Sequence, residues 1–253
     1  MKTFGVDLTN GRKALVLGVR HNNIGGAICR EIAKAGWSVY GDDCQADPTI
    51  DRYEAPPGSG WHQYKEDRRV PYEDFDMCVI TVGTTHMEPF GEVSKTAMDR
   101  VIEGSLILPL ECARRYVQAR EADPRALRGS TPSHHSTIIF IGSYAYNHVL
   151  THSTAYCAAK AGLVAAASSL AWELMPEGFH VHIINPHHVQ NTPMTERVRK
   201  SMGEDAEAKQ RKDLRMPDLL TPEEIAQMVV TIVDNPHMGW CSGQPINMFG
   251  GVR

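Results

Sequence analysis

No pair of cysteines in the sequence stands at CxxC spacing, and no HExxH or similar ligand cluster occurs. The six cysteines, Cys29, Cys44, Cys78, Cys112, Cys157 and Cys241, are scattered. That is the pattern of free thiols in a reducing compartment, not of a disulfide framework or a zinc site. The twelve histidines also lack ligand spacing, so they are read as packed or solvated side chains and no metal is expected. A charge excess is missing as well. Against 30 acidic residues stand 26 basic ones, and a net charge of −4 offers no field for nucleic acid or anionic membrane. The opening "MKTFGVDLTNGRKALVLGV" holds an apolar run too short for a signal peptide, and no later stretch reaches membrane-spanning length. A cytoplasmic protein is expected. Neither an internal repeat nor a low-complexity linker divides the 253 residues, which suffice for one large α/β domain.

What the chain does contain is an alternation. Short apolar runs at 14–19, 37–41, 76–83, 136–142, 180–185 and 245–249 are separated by amphipathic segments. Read as strands, with helices over 24–35, 94–121, 153–174 and 222–234, they predict a doubly wound parallel β-sheet with helices on both faces. This is a Rossmann-like α/β fold over a single domain, 1–253. The second helix has a serine cap in "SKTAMDRV" and runs through Pro109, where a kink is expected. The last helix opens on "TPEE", a threonine cap followed by proline and two acids. Two stretches fit no regular element. Residues 121–136 are rich in turn formers and predict an exposed loop; residues 195–216 are highly charged and predict a solvated helical excursion. The segment 193–218 around the latter is the candidate substrate lid.

The first strand runs into "LGVRHNNIGGAICREIAKAG" (17–36). Gly18 allows a tight turn, Asn22 and Asn23 are turn and cap residues, and Gly25 with Gly26 permits close backbone approach. Ile24 then begins an amphipathic helix whose free N–H groups and dipole suit a pyrophosphate. The pattern is not GxGxxG, and an ordinary β-to-α turn is the plain alternative. The second strand ends at "YGDDC", where Asp42 and Asp43 lie 17 and 18 residues beyond Gly25. An acid there takes the ribose hydroxyls of adenosine and repels a 2′-phosphate, which favours NAD; Arg20 in the glycine turn would suit NADP instead.

In "AYCAAKAG" (155–162), Tyr156 and Lys160 are four residues apart and fall on one helical face. A free phenol titrates near ~10, and a fixed positive charge beside it favours the phenolate. Spacing alone equally describes an amphipathic helix with one aromatic and one snorkelling lysine.

Together, the glycine turn, the acid, "TVG" after the fourth strand and Tyr156-x-x-x-Lys160 resemble the short-chain dehydrogenase/reductase family over nearly the whole chain. The family's catalytic serine, thirteen residues before the tyrosine, corresponds to Ser143 in "IIFIGSYAY". Its "NNAG" is similar to "ITVG" (80–83), which places Val82 and Gly83 beside the cofactor. Its "PGxVxT" is similar to "PHHVQNTPM", which places Pro186, Val189 and Thr192 around the nicotinamide carboxamide. The resemblance implies that Ser143 hydrogen-bonds the substrate oxygen and that Tyr156 exchanges its proton. Lys160 would then lower the tyrosine pKa and hold the nicotinamide ribose. It also implies a homo-oligomer, tetramer or dimer, with contacts from the closing "CSGQPINMFGG" (241–251).

The sequence departs from that family in three places. Ser105 stands where the family has an asparagine that holds a relay water, and a hydroxyl cannot reproduce an amide's joint donor and acceptor geometry. His187 replaces the glycine after the proline and brings a bulky, titratable ring. The glycine turn carries one extra residue. Near the reacting carbon, Tyr144, Tyr146, His148, His187 and Met194 form a candidate substrate pocket suited to a polar or hydroxylated small molecule. The expected activity is hydride transfer between NAD(P) and a carbonyl or secondary alcohol. Enoyl reduction is disfavoured, since lysine usually follows the tyrosine by seven residues in those enzymes and that position is Leu163. The competing reading is a catalytically silent nucleotide-binding sensor or scaffold on the same fold.

Overall fold

The structure, a computed structural model, describes residues 11–19, 23–42, 61–63, 72, 75–122, 136–148, 150–202 and 218–251. Seven parallel strands form one sheet in the order β3-β2-β1-β4-β5-β6-β7. In chain order these are β1 (Lys13–Leu17), β2 (Ser38–Asp42), β3 (Trp61–Gln63), β4 (Met77–Ile80), β5 (Ser136–Ile141), β6 (Phe179–Pro186) and β7 (Pro245–Met248). Strand order reverses between β1 and β4, and there the carboxyl ends of neighbouring strands diverge into a crevice. The sequence pattern anticipates all strands except β3, whose three residues are too few to register as an apolar run.

Both faces of the sheet are covered, as the near-continuous apolar strands require. On one face α1 (Ile24–Lys34) and α6 (Pro222–Asp234) pack over Val16, Val39, Val79, Ile139 and Ile184 through Ile28, Ile32, Ile225 and Val229. On the other, α3 (Leu108–Glu121) and α4 (Thr154–Leu174) pack over Leu15, Leu17, Ile80, Phe140 and Ile183 through Tyr116, Leu163 and Ala167. The alternation of Leu15 and Leu17 with Ala14 and Val16 is the period-two signature of a strand buried on both sides. Thr221 and Glu224 close the capping box that "TPEE" announces.

The predicted helix 94–121 is three pieces: α2 (Lys95–Ile102), a π-helical segment Glu103–Ile107, and α3. The departure from a regular helix therefore precedes Pro109, with a physical cause in the sequence. Pro109 has no N–H to give the carbonyl four residues earlier, that of Ser105, and its ring crowds that carbonyl. The chain widens instead, and the Leu108 N–H donates to the Glu103 carbonyl five residues back. From the charged stretch, α5 (Pro193–Met202) is helical. Residues 203–217 of the candidate lid, and 123–135 of the predicted loop, lie outside the described residues.

Candidate active site

The crevice is built first by its glycine turn. Gly18 has φ +87, and a Cβ there would stand 2.8 Å from Thr81 Oγ1 and 3.0 Å from Val82 Cγ1. Only glycine meets both demands. Asn23 caps α1 by accepting from the Gly26 N–H at 2.9 Å, while its Nδ2 donates to the Gly18 carbonyl at 2.8 Å. Its amide thus shapes the turn rather than reaching outward. Thr81, not singled out by the sequence pattern, completes the turn: its hydroxyl lies 2.8 Å from the Leu17 carbonyl and 3.0 Å from that of Gly18. Asp42 ends β2 directly beside this turn, its carbonyl accepting from the N–H groups of Gly18 at 2.7 Å and Val19 at 3.0 Å. Ile24 starts α1 directly after this turn, the place at which a helix terminus can bind an anion. Arg20 and Asp43 lie outside the described residues.

Next comes the reacting centre. Ser143 follows β5 and Tyr156 lies in the first turn of α4; both are buried, and the serine lowers the pKa of the phenol against the effect of burial. The Ser143 hydroxyl also accepts from the Ala145 N–H at 3.2 Å, which pins it in the turn Tyr144–Tyr146. Lys160, one helical turn beyond Tyr156, is 3 % exposed and donates to the Ile141 carbonyl at 3.0 Å. Its Nζ lies 5.8 Å from the centre of the Tyr156 ring. Gly83 faces both partners of the relay region: a Cβ there would be 3.5 Å from Lys160 Nζ and 3.7 Å from Ser105 Oγ.

Burial governs the ionisation of this pair. It pushes the Tyr156 phenol up to about 12, with the Ser143 hydrogen bond pulling the other way, and it pushes the Lys160 ammonium down to about 8. Burial is the largest influence on both groups. The ammonium points at a main-chain carbonyl.

Ser105 is fully buried and closes a two-way clamp on Thr84, accepting from its N–H at 2.9 Å and donating to its carbonyl at 2.5 Å. With its proton committed there, the hydroxyl fixes the loop after β4 instead of donating to a relay water.

On the substrate side, Tyr144 and His187 are in ring contact at 4.2 Å, and the Tyr144 hydroxyl meets His188 Nε2 at 2.6 Å. Burial, followed by the charge of His187, lowers His188 to about 3, so this imidazole is neutral. His148 packs edge-on to Phe249 at 5.0 Å, and Tyr146 lies 6.2 Å from the same ring. Phe249 and His188 complete an aromatic wall of which the sequence pattern gives Tyr144, Tyr146, His148 and His187. Met194, at the start of α5, brings its sulfur to 3.9 Å from the Tyr156 hydroxyl. Pro186 ends β6, Val189 bridges to Leu220, and Thr192 hydrogen-bonds Thr195 at the head of α5. Pro186, Val189 and Thr192 thus belong to the β6–α5 connection bordering the site. Leu163, where a lysine would signal enoyl chemistry, is buried in the core. Among the described residues no cluster could hold a metal ion, and no helix is long and apolar enough to cross a membrane.

Comparison with known proteins agrees with this arrangement. A family model described as enoyl-(acyl carrier protein) reductase matches residues 62–253. The 3-oxoacyl-[acyl-carrier-protein] reductase of Vibrio harveyi is 29% identical over 126 residues, covering 50% of this chain and 49% of its own. The chain thus matches about half the length of that relative. The L-xylulose reductase of Caenorhabditis elegans is 26% identical over 93% of this chain and 94% of its own. Among solved structures, the 3-ketoacyl-(acyl-carrier-protein) reductase of Brucella melitensis complexed with NADH superimposes with a TM-score of 0.77 at 19% identity, covering 96% of this chain and 98% of that one. A putative 2-deoxy-D-gluconate 3-dehydrogenase from Agrobacterium tumefaciens with bound NADP gives 0.77 at 22% identity over 97% and 98%. With its parallel sheet, glycine turn and Ser143, Tyr156 and Lys160 brought together, the chain belongs to the short-chain dehydrogenase/reductase family.

Proposed function

We propose that the protein is an NAD(P)-dependent oxidoreductase that interconverts a carbonyl and a secondary alcohol. The observation that carries this reading is the buried Tyr156 phenol with Lys160 one helical turn away, its ammonium 5.8 Å from the ring centre, and buried Ser143 at the adjoining end of β5. A nicotinamide cofactor, when bound, supplies or accepts the hydride. The residues present fit it: the Gly18 turn and the head of α1 suit a pyrophosphate, Asp42 a ribose, and Gly83 keeps the chain after β4 free of a side chain beside the Lys160 ammonium.

In reduction, Ser143 orients the carbonyl oxygen and Tyr156 delivers its proton to that oxygen as the carbon receives hydride. Lys160 places a positive charge behind the phenol and favours the phenolate that this transfer leaves. Ser105 acts by fixing Thr84, and so the loop carrying Gly83. The Lys160 spacing and the burial of Leu163 favour carbonyl over enoyl reduction. NAD is favoured over NADP by Asp42 beside the glycine turn. Met194 against the Tyr156 hydroxyl supports a lid function for the 193–218 segment. Within one domain, α4 is apolar on all sides yet leaves Trp172 87% exposed, which supports a homo-oligomer, dimer or tetramer.

Tyr156→Phe tests the assignment. Turnover of a carbonyl panel should fall by at least about a hundredfold, with NADH or NADPH binding retained by fluorescence titration. Full turnover in the variant would remove Tyr156 from the reaction and with it this mechanism.

A further inference from the structure

The main-chain N–H of Ser143 donates to Asn185 Oδ1 at 3.2 Å, Asn185 Nδ2 donates to Asn247 Oδ1 at 3.2 Å, and Asn247 Nδ2 donates to the Tyr146 hydroxyl at 3.0 Å. Asn185 is fully buried at the end of β6, and Asn247 is its register partner on β7. The structure makes room for this chain. At Gly142 a Cβ would stand 2.0 Å from Asn185 Oδ1, so any larger residue before Ser143 would expel the amide.

A backbone N–H can only donate, and this fixes the direction of every link. Ser143 requires the oxygen of Asn185, which turns the Asn185 NH2 toward Asn247; that requires the oxygen of Asn247, which turns the Asn247 NH2 toward Tyr146. The Tyr146 oxygen is therefore an acceptor within the protein, and its own proton is directed elsewhere. Among the described residues no acceptor receives it, whereas the neighbouring Tyr144 hydroxyl is already engaged with His188 at 2.6 Å.

We propose that Asn185 and Asn247 form a one-way hydrogen-bond chain that sets Tyr146 as a donor at the rim of the substrate site. Tyr146 thereby selects carbonyl substrates that carry a second, acceptor oxygen near the reacting carbon. This rests on the oxidoreductase reading above. Tyr146 is the specificity-determining residue, and the two asparagines are positioning residues that act through it.

The test uses methoxyacetone, whose ether oxygen accepts but cannot donate, against its carbon isostere 2-pentanone, with whichever of NADH or NADPH the protein binds. Tyr146→Phe deletes the donor. Asn247→Asp places a carboxylate oxygen opposite Tyr146 and turns the phenol proton inward, away from the substrate. Both variants should lower the ratio of kcat/KM for methoxyacetone to that for 2-pentanone by about five- to tenfold, as loss of one neutral hydrogen bond implies. The double variant should be no worse than either alone. A purely structural role for Asn247 would alter both ketones equally and leave the ratio at its wild-type value, which would overturn the proposal, as would an unchanged ratio in Tyr146→Phe.

Side-chain amide resonances, read without turnover, separate this failure from that of the functional reading. The Asn247 NH2 signal should shift in Tyr146→Phe and the Asn185 NH2 signal in Asn247→Asp. Unmoved signals would overturn the chain whatever the activity. Signals that shift in the variants, alongside a wild-type protein that reduces neither ketone, would instead count against the oxidoreductase reading, and the substrate half of the proposal would fall with it.

Discussion

Replacing Lys160 by methionine should abolish turnover and stabilise the fold. The side chain is 3 % exposed, its ammonium has the Ile141 carbonyl as partner at 3.0 Å, and burial alone accounts for its depressed pKa. A lysine brought from 10.5 in the unfolded chain to about 8 in the folded one costs the folded state about 3 kcal/mol at pH 7. The sign follows from proton counting. Between pH 8 and 10.5 the unfolded chain holds the proton and the folded protein does not, so stability rises with pH across that window; below pH 8 the full penalty remains. Methionine removes the penalty at similar volume but forfeits the bond to Ile141, worth about 1 kcal/mol. The net gain is about 2 kcal/mol, or about 4–8 °C in Tm for a chain of this size. The assay is thermal unfolding of cofactor-free protein at pH 7 and pH 10. Lys160→Met should melt higher than wild type at pH 7, with a smaller advantage at pH 10. A lower Tm at pH 7 would mean that the buried cation is compensated, and the argument from desolvation would fail.

Other perturbations follow from the same contacts. Gly142→Ala drives a Cβ into Asn185 Oδ1, and should cost about 2–4 kcal/mol through overpacking and an orphaned Ser143 N–H; urea unfolding measures it, and a neutral result would show that Asn185 moves freely. Ser105→Ala strips Thr84 of both clamp bonds, with an expected loss of about 1–3 kcal/mol and a fall in kcat, read by the same unfolding assay and by steady-state kinetics. His182 is buried in β6, where burial first and His180 second lower it to about 4. A histidine depressed on folding favours the folded state when neutral, so that stability is lost as pH falls from 6.5 toward 4. About 2 kcal/mol should disappear between pH 7 and pH 5, and His182→Leu should flatten that dependence in denaturant titrations.

The sheet and its covering helices were legible because buried parallel strands need apolar runs and surface helices need apolar stripes, and both are periodicities of the sequence. Tyr156 and Lys160 were legible as neighbours because they share a helical face, and Ser143 joins them through the resemblance to the family's pattern. Even the irregular helix was half-written: Pro109 announces a disturbance, but placing it at Ser105 requires following the missing N–H four residues back. What could not be read is what depends on register between distant segments. Asn185 and Asn247 are 62 residues apart; they become partners only because β6 and β7 align Asn185 with Asn247. The same holds for the bond between Tyr144 and His188, 44 residues apart.

The ionisation of the pair depends on distant segments for a related reason. Tyr156 and Lys160 share a helical face, which predicts mutual influence, but the balance between charge and desolvation depends on what closes over that face. Here the end of β5 supplies the Ile141 carbonyl to the lysine, and the head of α5 lays Met194 against the phenol. Both groups are pushed toward their neutral forms. The motif therefore points to which groups act, and the end of β5 and the head of α5 bear on the protonation state from which they start. The packing around the motif, more than the motif itself, holds Tyr156 in its protonated form.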